Sequence, residues 1–162
     1  MSPLEARVDR LAAALLARSA MLATAESCTG GLIAAACTEK PGSSGWFERG
    51  FVTYSNGAKR EMLGVAATLI DTHGAVSKEV AAAMAEGALA RSMATYSVAV
   101  TGVAGPGGAT PGKPVGTVWM AVCQRGDAAA SRLLQATGDR AAVRAQSVLA
   151  ALDLLLARID AS

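Results

Sequence analysis

The run Ala25-Glu26-Ser27-Cys28-Thr29-Gly30-Gly31 carries the chain's first chemistry. It follows a short apolar segment and precedes another, so it reads as the turn from a strand into a helix. Glycines there let a ligand approach the main chain closely. Free amides at a helix start stabilise an anion, either a phosphate or an oxyanion. Ser27 is placed to act as a nucleophile. The plainer alternative is that Ser27 and Thr29 only cap the helix. Cys28 is a second candidate nucleophile, although a small cysteine between strand and helix is more often packed than reactive.

A second run, Tyr54-Ser55-Asn56-Gly57-Ala58-Lys59, supplies a candidate base. Lysines are scarce, only Lys40, Lys59, Lys78 and Lys113, whereas arginines are plentiful. A desolvated lysine can lose its proton and accept another; arginine cannot. A solvated lysine in the first turn of a helix is the bland alternative. Ser55 and Lys59 are four apart and form a rival pair. Ser55-Asn56-Gly57 is turn chemistry, so the pair Ser27–Lys59 is preferred.

The third run, Gly107 to Lys113, matches GxxxxGK. A phosphate loop needs Ser or Thr next, then a helix. Pro114 follows instead, and then a strand, which excludes a Walker-type site. Gly102 to Gly108 spaces its glycines wrongly for a dinucleotide fingerprint. Arg140 and Arg144 are four apart at the start of the last helix. They either clamp a phosphate or form a solvated face. His73, the sole histidine, sits in a turn and reads as a loop residue.

The elements that position these runs alternate. Ser2-Pro3-Leu4-Glu5 is a capping box that opens an amphipathic helix ending near Ser19. Strands are predicted over 21–25, 46–54, 96–101, 115–123 and 132–136. Helices are predicted over 32–38, 58–63, 78–93 behind Ser77, and 140–159 behind Asp139. That pattern predicts an α/β fold, a three-layer α/β/α sandwich on a mixed, mostly parallel sheet, with residues 1–162 as one domain. In such sheets ligands bind beyond the carboxyl ends of the strands, where all three runs fall.

Composition excludes several classes. The 15 Lys+Arg against 13 Asp+Glu give a net charge of +2, too balanced for nucleic acid or an anionic membrane as main partner. Hydrophobic residues reach 52%, but much of that is alanine. The longest uncharged stretch, Ser92 to Gly112, contains Pro106 and Pro111 and is no membrane span. Without an apolar leader, the expectation is a soluble, cytoplasmic protein. Cys28, Cys37 and Cys123 show no CxxC spacing, so neither a disulfide framework nor a metal site is expected. Apolar helix surface around Met84, Leu89 and Met93 makes a homodimer plausible.

Taken together, these segments resemble the CinA C-terminal domain family, the nicotinamide-nucleotide amidohydrolases. The matching stretches run in order from Thr24 to Arg140. They are Thr24 to Gly31, Pro41-Gly42-Ser43-Ser44, Trp46 to Asn56, Ala58-Lys59, His73 to Ser77, Gly102 to Pro106, Lys113 to Trp119 and Gly138-Asp139-Arg140. The resemblance implies an α/β/α sandwich and hydrolysis of nicotinamide mononucleotide to nicotinate mononucleotide and ammonia. It implies Ser27 as nucleophile, Lys59 as its base and Tyr54 as a further catalytic residue. Amides of Cys28, Thr29 and Gly30 are the oxyanion candidates. Arg140, Ser43, Ser44, Thr101, Gly102 and Gly105 are the expected contacts for the nucleotide and its phosphate. No cofactor and no metal are implied. At this length the chain is similar to the stand-alone amidase rather than to members with an added pyrophosphatase domain. The rival expectations are a catalytically silent nucleotide-binding module, or an amidase for a related carboxamide.

Overall fold

The computed structural model describes residues 1–162. The first helix, α1 (Pro3–Ala17), starts at the capping box: Ser2 Oγ accepts from the Glu5 amide and the Glu5 carboxylate accepts from the Ser2 amide. Strand β1 (Leu22–Glu26) leads into α2 (Leu32–Cys37), and a 3₁₀ turn (Ser43–Gly45) precedes β2 (Phe47–Val52). Then come α3 (Asn56–Leu63), α4 (Ala67–His73), α5 (Lys78–Ala90) and β3 (Tyr96–Gly102). Strands β4 (Thr117–Gln124) and β5 (Ala130–Gln135) and the long α6 (Arg140–Asp160) complete the chain.

The five strands form one sheet in the order β2-β1-β3-β4-β5. Strand β1 pairs in parallel with both β2 and β3, while β4 is antiparallel to β3 and β5. Four strands therefore point one way and only β4 is reversed. The sheet is mixed and mostly parallel, as the alternation of elements predicts. Its carboxyl edge gathers the ends of β1, β2, β3 and β5, and with them the start of α6.

The side-chain alternation of strands assigns each face. Leu22, Tyr96, Val98, Val100, Val118, Met120 and Val122 join α1, α2 and α6 in one core. Ala23, Ala25, Ala99, Ala121 and Cys123 join α3, α4 and α5 in the other. The second core is built from methyl-sized groups, and α5 answers with Ala81, Ala85 and Ala88. Helix and sheet come close enough for Ser97 Oγ to donate to the Ala85 carbonyl at 2.7 Å.

Two expectations are corrected here. Met84 and Leu89 are buried in the α5 core, leaving only Met93, 80% exposed, of the apolar surface read as a dimer face. The short α4 was not anticipated, and His73 is its last residue rather than a loop residue. Its N-cap, Ala66, makes no side-chain cap bond, so no start signal marks it. No helix is long and apolar enough to cross a membrane.

Candidate active site

Period-two geometry sends consecutive residues at the end of β1 to opposite faces. Glu26 faces α2 and Ser27 faces α3. Both neighbours of β1 hold this end: the Ser27 amide donates to Val100 O at 3.0 Å, and the Thr53 amide donates to Glu26 O at 2.9 Å. Ser27 is thus fixed by the sheet rather than by a mobile loop.

Lys59 comes from the first turns of α3, which Ser55 caps by accepting from the Ala58 amide at 3.0 Å. Ser55 is therefore spent as a cap. Helical side chains lean back toward the helix N-terminus. Lys59 does so and is 1% exposed. Its Nζ contacts Ser27 Oγ at 3.0 Å, Thr53 O at 3.0 Å and Tyr54 O at 3.1 Å. Ser27 Oγ also lies 3.4 Å from Tyr54 O. No carboxylate touches the ammonium. Burial pushes the Lys59 pKa below its ordinary value, and the positive end of α3 disfavours a cation there as well. A neutral amine has two N–H groups and one lone pair. Two carbonyls take the N–H groups, and the lone pair is left for the serine hydroxyl.

The turn after Ser27 is braced from behind. Glu26 is completely buried, and its carboxylate accepts from Thr29 Oγ1 at 2.6 Å, from the Ile33 amide at 2.9 Å and from the Ala34 amide at 3.0 Å. It does the work of an N-cap for α2, whose actual N-cap, Gly31, has no side chain to offer. Neither Ser27 nor Thr29 caps α2. Glu26→Gln would set an amide N–H₂ against one of these donors. The expected cost is about 1–3 kcal/mol, read as a lower urea midpoint with an unchanged slope.

The Gly30 amide donates to Ser27 O at 3.0 Å and so closes the turn. That corrects the expectation that Gly30 is a free oxyanion donor. The amides of Cys28 and Thr29 donate to nothing, which leaves them as the candidates. Gly30 also has φ +57°, and a Cβ there would meet the Arg144 guanidinium at 3.4 Å. Burial pushes the Cys28 thiol up to about 11. It is therefore no preformed thiolate, and unlike Ser27 Oγ it makes no hydrogen bond to Lys59, so Ser27 is the better-placed nucleophile.

Ser27, Cys28, Lys59 and Thr101 line an open cavity of about 220 Å³ with Tyr54 and Arg140. Ala75 and Val76, ahead of α5, also line it, with Asn56, Gly102 and Ala104. A neighbouring cavity of about 470 Å³ shares Ala104 and Arg140 with it. The first cavity has no acidic side chain in its wall, so its field favours an anionic ligand. Tyr54 stands at the mouth, 62% exposed, and its hydroxyl accepts from Arg140 Nη2 at 3.1 Å. Arg140 Nη1 donates to Gly105 O at 3.0 Å. The Thr101 hydroxyl donates to Ala75 O at 2.9 Å, so it holds the cavity wall. Gly102 is needed for close packing, since a Cβ would lie 2.8 Å from Val118 Cγ2.

Ser43 and Ser44 are elsewhere. They precede β2, and the β1–β2 register pairs Phe47 with Leu22 at the amino end of both strands. The full length of β2 separates them from the cavity, which corrects their assignment as substrate contacts within one chain. Arg144 lines neither cavity and donates to Cys28 O at 3.1 Å and Thr29 O at 3.4 Å. Of the two arginines read as a clamp, only Arg140 lines the cavity. Lys113 of the GxxxxGK run donates to His73 O at 2.6 Å, and His73 lies 3.6 Å from Glu79. No three His, Cys, Asp or Glu side chains converge to hold a metal ion.

The fold and this contact define an α/β sandwich with a buried serine–lysine pair at the carboxyl edge of its sheet. Residues 4–159 match the CinA C-terminal domain, and the chain belongs to that family. A nicotinamide-nucleotide amidohydrolase PncC from Pseudomonas putida is 54% identical over 156 residues, covering 96% of this chain and 97% of that protein. A CinA-like protein from Mycolicibacterium vanbaalenii is 52% identical over 91% of this chain, which spans only 34% of that longer protein. The crystal structure of a competence/damage inducible protein from Agrobacterium tumefaciens superposes with a TM-score of 0.93 at 44% identity, covering 99% of this chain and 97% of the other.

Proposed function

We propose that this chain hydrolyses the carboxamide of nicotinamide mononucleotide, giving nicotinate mononucleotide and ammonia. The near full-length likeness to a named nicotinamide-nucleotide amidohydrolase supports the substrate. The observation that carries the chemistry is the buried Lys59 Nζ, 3.0 Å from Ser27 Oγ, with no acidic partner. Ser27 Oγ attacks the carboxamide carbon while its proton passes to Lys59. The carbonyl electrons move onto oxygen, which the free amides of Cys28 and Thr29 stabilise. The tetrahedral adduct collapses as Lys59 returns the proton to the departing nitrogen, and ammonia leaves. Water then attacks the acyl-serine, again giving a proton to Lys59. The proton returns to Ser27 as the acid departs, and the acid then ionises to the carboxylate in water. The protein thereby recycles pyridine nucleotide in the cytoplasm.

Arg140 takes the 5′-phosphate, helped by the Gly102–Gly105 loop. Tyr54 holds the rim beside the ring. A phosphate–guanidinium bond is charge-assisted and worth about 1.5–3 kcal/mol. Arg140→Ala is therefore expected to raise KM on the order of 10- to 100-fold with kcat much less changed. Steady-state rates across substrate concentrations check it.

The deciding experiment is ammonia release from nicotinamide mononucleotide by the purified protein, beside free nicotinamide. Release from the nucleotide alone is the expected outcome, because a site built to pair a phosphate discriminates against a ligand lacking it. Binding of the nucleotide without release identifies a silent nucleotide-binding module. Neither binding nor release moves the search to other carboxamides.

A further inference from the structure

The nucleophile turn is held from two sides by groups of opposite charge, and neither lines the cavity that holds Ser27. Glu26 anchors its donors on the α2 side. Arg144, half-buried on α6, anchors its carbonyls: Nε donates to Cys28 O at 3.1 Å and Nη2 to Thr29 O at 3.4 Å. Arg144 lies one helical turn beyond Arg140, so the two arginines of one helix face divide their tasks.

A trans peptide places its N–H opposite its C=O. The carbonyl of Cys28 and the amide of Thr29 belong to one such plane. A guanidinium fixed on that carbonyl turns the Thr29 N–H away from α6, and it polarises the peptide so that the N–H becomes a stronger donor. The next peptide is held the same way. Thr29 O accepts from Arg144 and from the Leu32 amide, and its partner N–H, that of Gly30, closes on Ser27 O. One side chain thus sets the orientation of two consecutive peptides beside the nucleophile. Gly30, at φ +57°, sits directly against this side chain, since a Cβ there would be in contact with Nη2 at 3.4 Å.

We propose that Arg144 is a positioning residue for acyl transfer: it aligns and polarises the Thr29 oxyanion amide from behind and fixes the peptide that follows it, without touching substrate. The proposal rests on the amidase reading above. It separates Arg144 from Arg140, which acts on KM.

The test compares the wild type, Arg144→Ala and Arg144→Lys, with folding followed by circular dichroism and thermal melting. Two rates are read. One is turnover of nicotinamide mononucleotide. The other is phosphonylation of Ser27 by a fluorophosphonate, in which Oγ displaces fluoride and the phosphoryl oxygen occupies the oxyanion position. Loss of one oxyanion donor costs about 10²–10³ in rate. Misaligning and depolarising a donor that stays in place is expected to cost about 10- to 100-fold. In Arg144→Ala both rates should fall together by this factor, with KM within about twofold and the acid limb of the pH profile at its wild-type position. Methylguanidinium, at a concentration that leaves the protein folded, should restore part of the loss in Arg144→Ala and none in Ser27→Ala. Arg144→Lys should fall between wild type and alanine.

Three results overturn the proposal. These are an unchanged kcat with a raised KM, a displaced acid limb, or a loss that tracks the unfolded fraction and resists methylguanidinium. Should Arg144→Ala not fold, Arg144→Lys decides on the same two rates. A wild type that is labelled at Ser27 but releases no ammonia refutes the substrate, and the labelling arm then decides Arg144 alone. A wild type that does neither refutes both.

Discussion

Replacing Ser27 by alanine is expected to abolish ammonia release, lowering kcat on the order of 10⁴- to 10⁶-fold, as removal of an activated serine does elsewhere. The protein should remain folded. Ser27 Oγ makes contacts only with Lys59 and Tyr54 O, and its amide, which ties β1 to β3, is untouched. Removing Oγ leaves Lys59 with its two carbonyl partners. Substrate binding should therefore persist, and calorimetry of Ser27→Ala with nicotinamide mononucleotide should return an affinity near the wild-type KM. Mass spectrometry of quenched wild-type turnover should find the acyl group on Ser27. Residual turnover in Ser27→Ala above about a hundredth of wild type would refute covalent catalysis through Ser27, since no other hydroxyl or thiol in the cavity wall hydrogen-bonds the Lys59 amine.

Replacing Lys59 has nearly as large an effect, and the choice of substitute is informative. Lys59→Met removes the base and is expected to cost about 10²–10⁴ in kcat. Lys59→Arg should cost as much, because a guanidinium keeps its proton and has no lone pair to offer. In the wild type, kcat/KM should rise with pH as Lys59 deprotonates. Since burial lowers its pKa, that rise is centred below the value of about 10.4 for a free lysine. Both variants should lose this limb. Stability follows the same linkage. Below the folded pKa the buried ammonium is a full penalty on the native state. Between the folded and unfolded values the unfolded chain holds the proton and the native one does not, so stability rises with pH across that window. Lys59→Met should show no such rise in chemical denaturation. The substrate's cationic ring pushes in the same direction, so an analogue bound to Ser27→Ala should lower the Lys59 pKa further; an unmoved pKa refutes that coupling.

The layer order, the mixed sheet and the Ser27–Lys59 pairing were legible from local signals. A capping box opens α1, Ser77 and Asp139 cap α5 and α6, and the turn chemistry at Ser55 frees Ser27 as the partner of Lys59. Ser43 and Ser44 were expected at the site because their loop matches the family, and a match in sequence carries no position in space. In parallel strands the loop that enters β2 and the loop that leaves β1 lie at opposite edges, and that rule alone would have removed them. Glu26 was read only as part of the turn after a strand predicted over 21–25, with no role of its own. The missing signal was an accounting one: Gly31 cannot cap α2, so the buried amides of Ile33 and Ala34 required an acceptor from elsewhere. The role of Arg144, read as half of a phosphate clamp or as a solvated face, was hidden for a different reason. Its partners are main-chain carbonyls more than a hundred residues away in sequence, and a carbonyl leaves no mark in the residue code. Met84 and Leu89 misled because an alanine-rich helix has no strong polar face to show which side is wet.

The methyl-thin layer between α5 and the sheet has a consequence for the cavity. Ala75 and Val76 roof the serine–lysine pair, and they are the residues that lead into the first turn of α5. The height of that roof is therefore gauged by how closely α5 rests on Ala23, Ala25, Ala99 and Ala121. Each of these methyls works like a shim. Protein interiors do not compress, so a thicker side chain at Ala85 or Ala99 lifts the helix rather than filling a gap. The size of ligand this protein admits is thus partly written in the smallest side chains of its core, at positions no ligand ever meets.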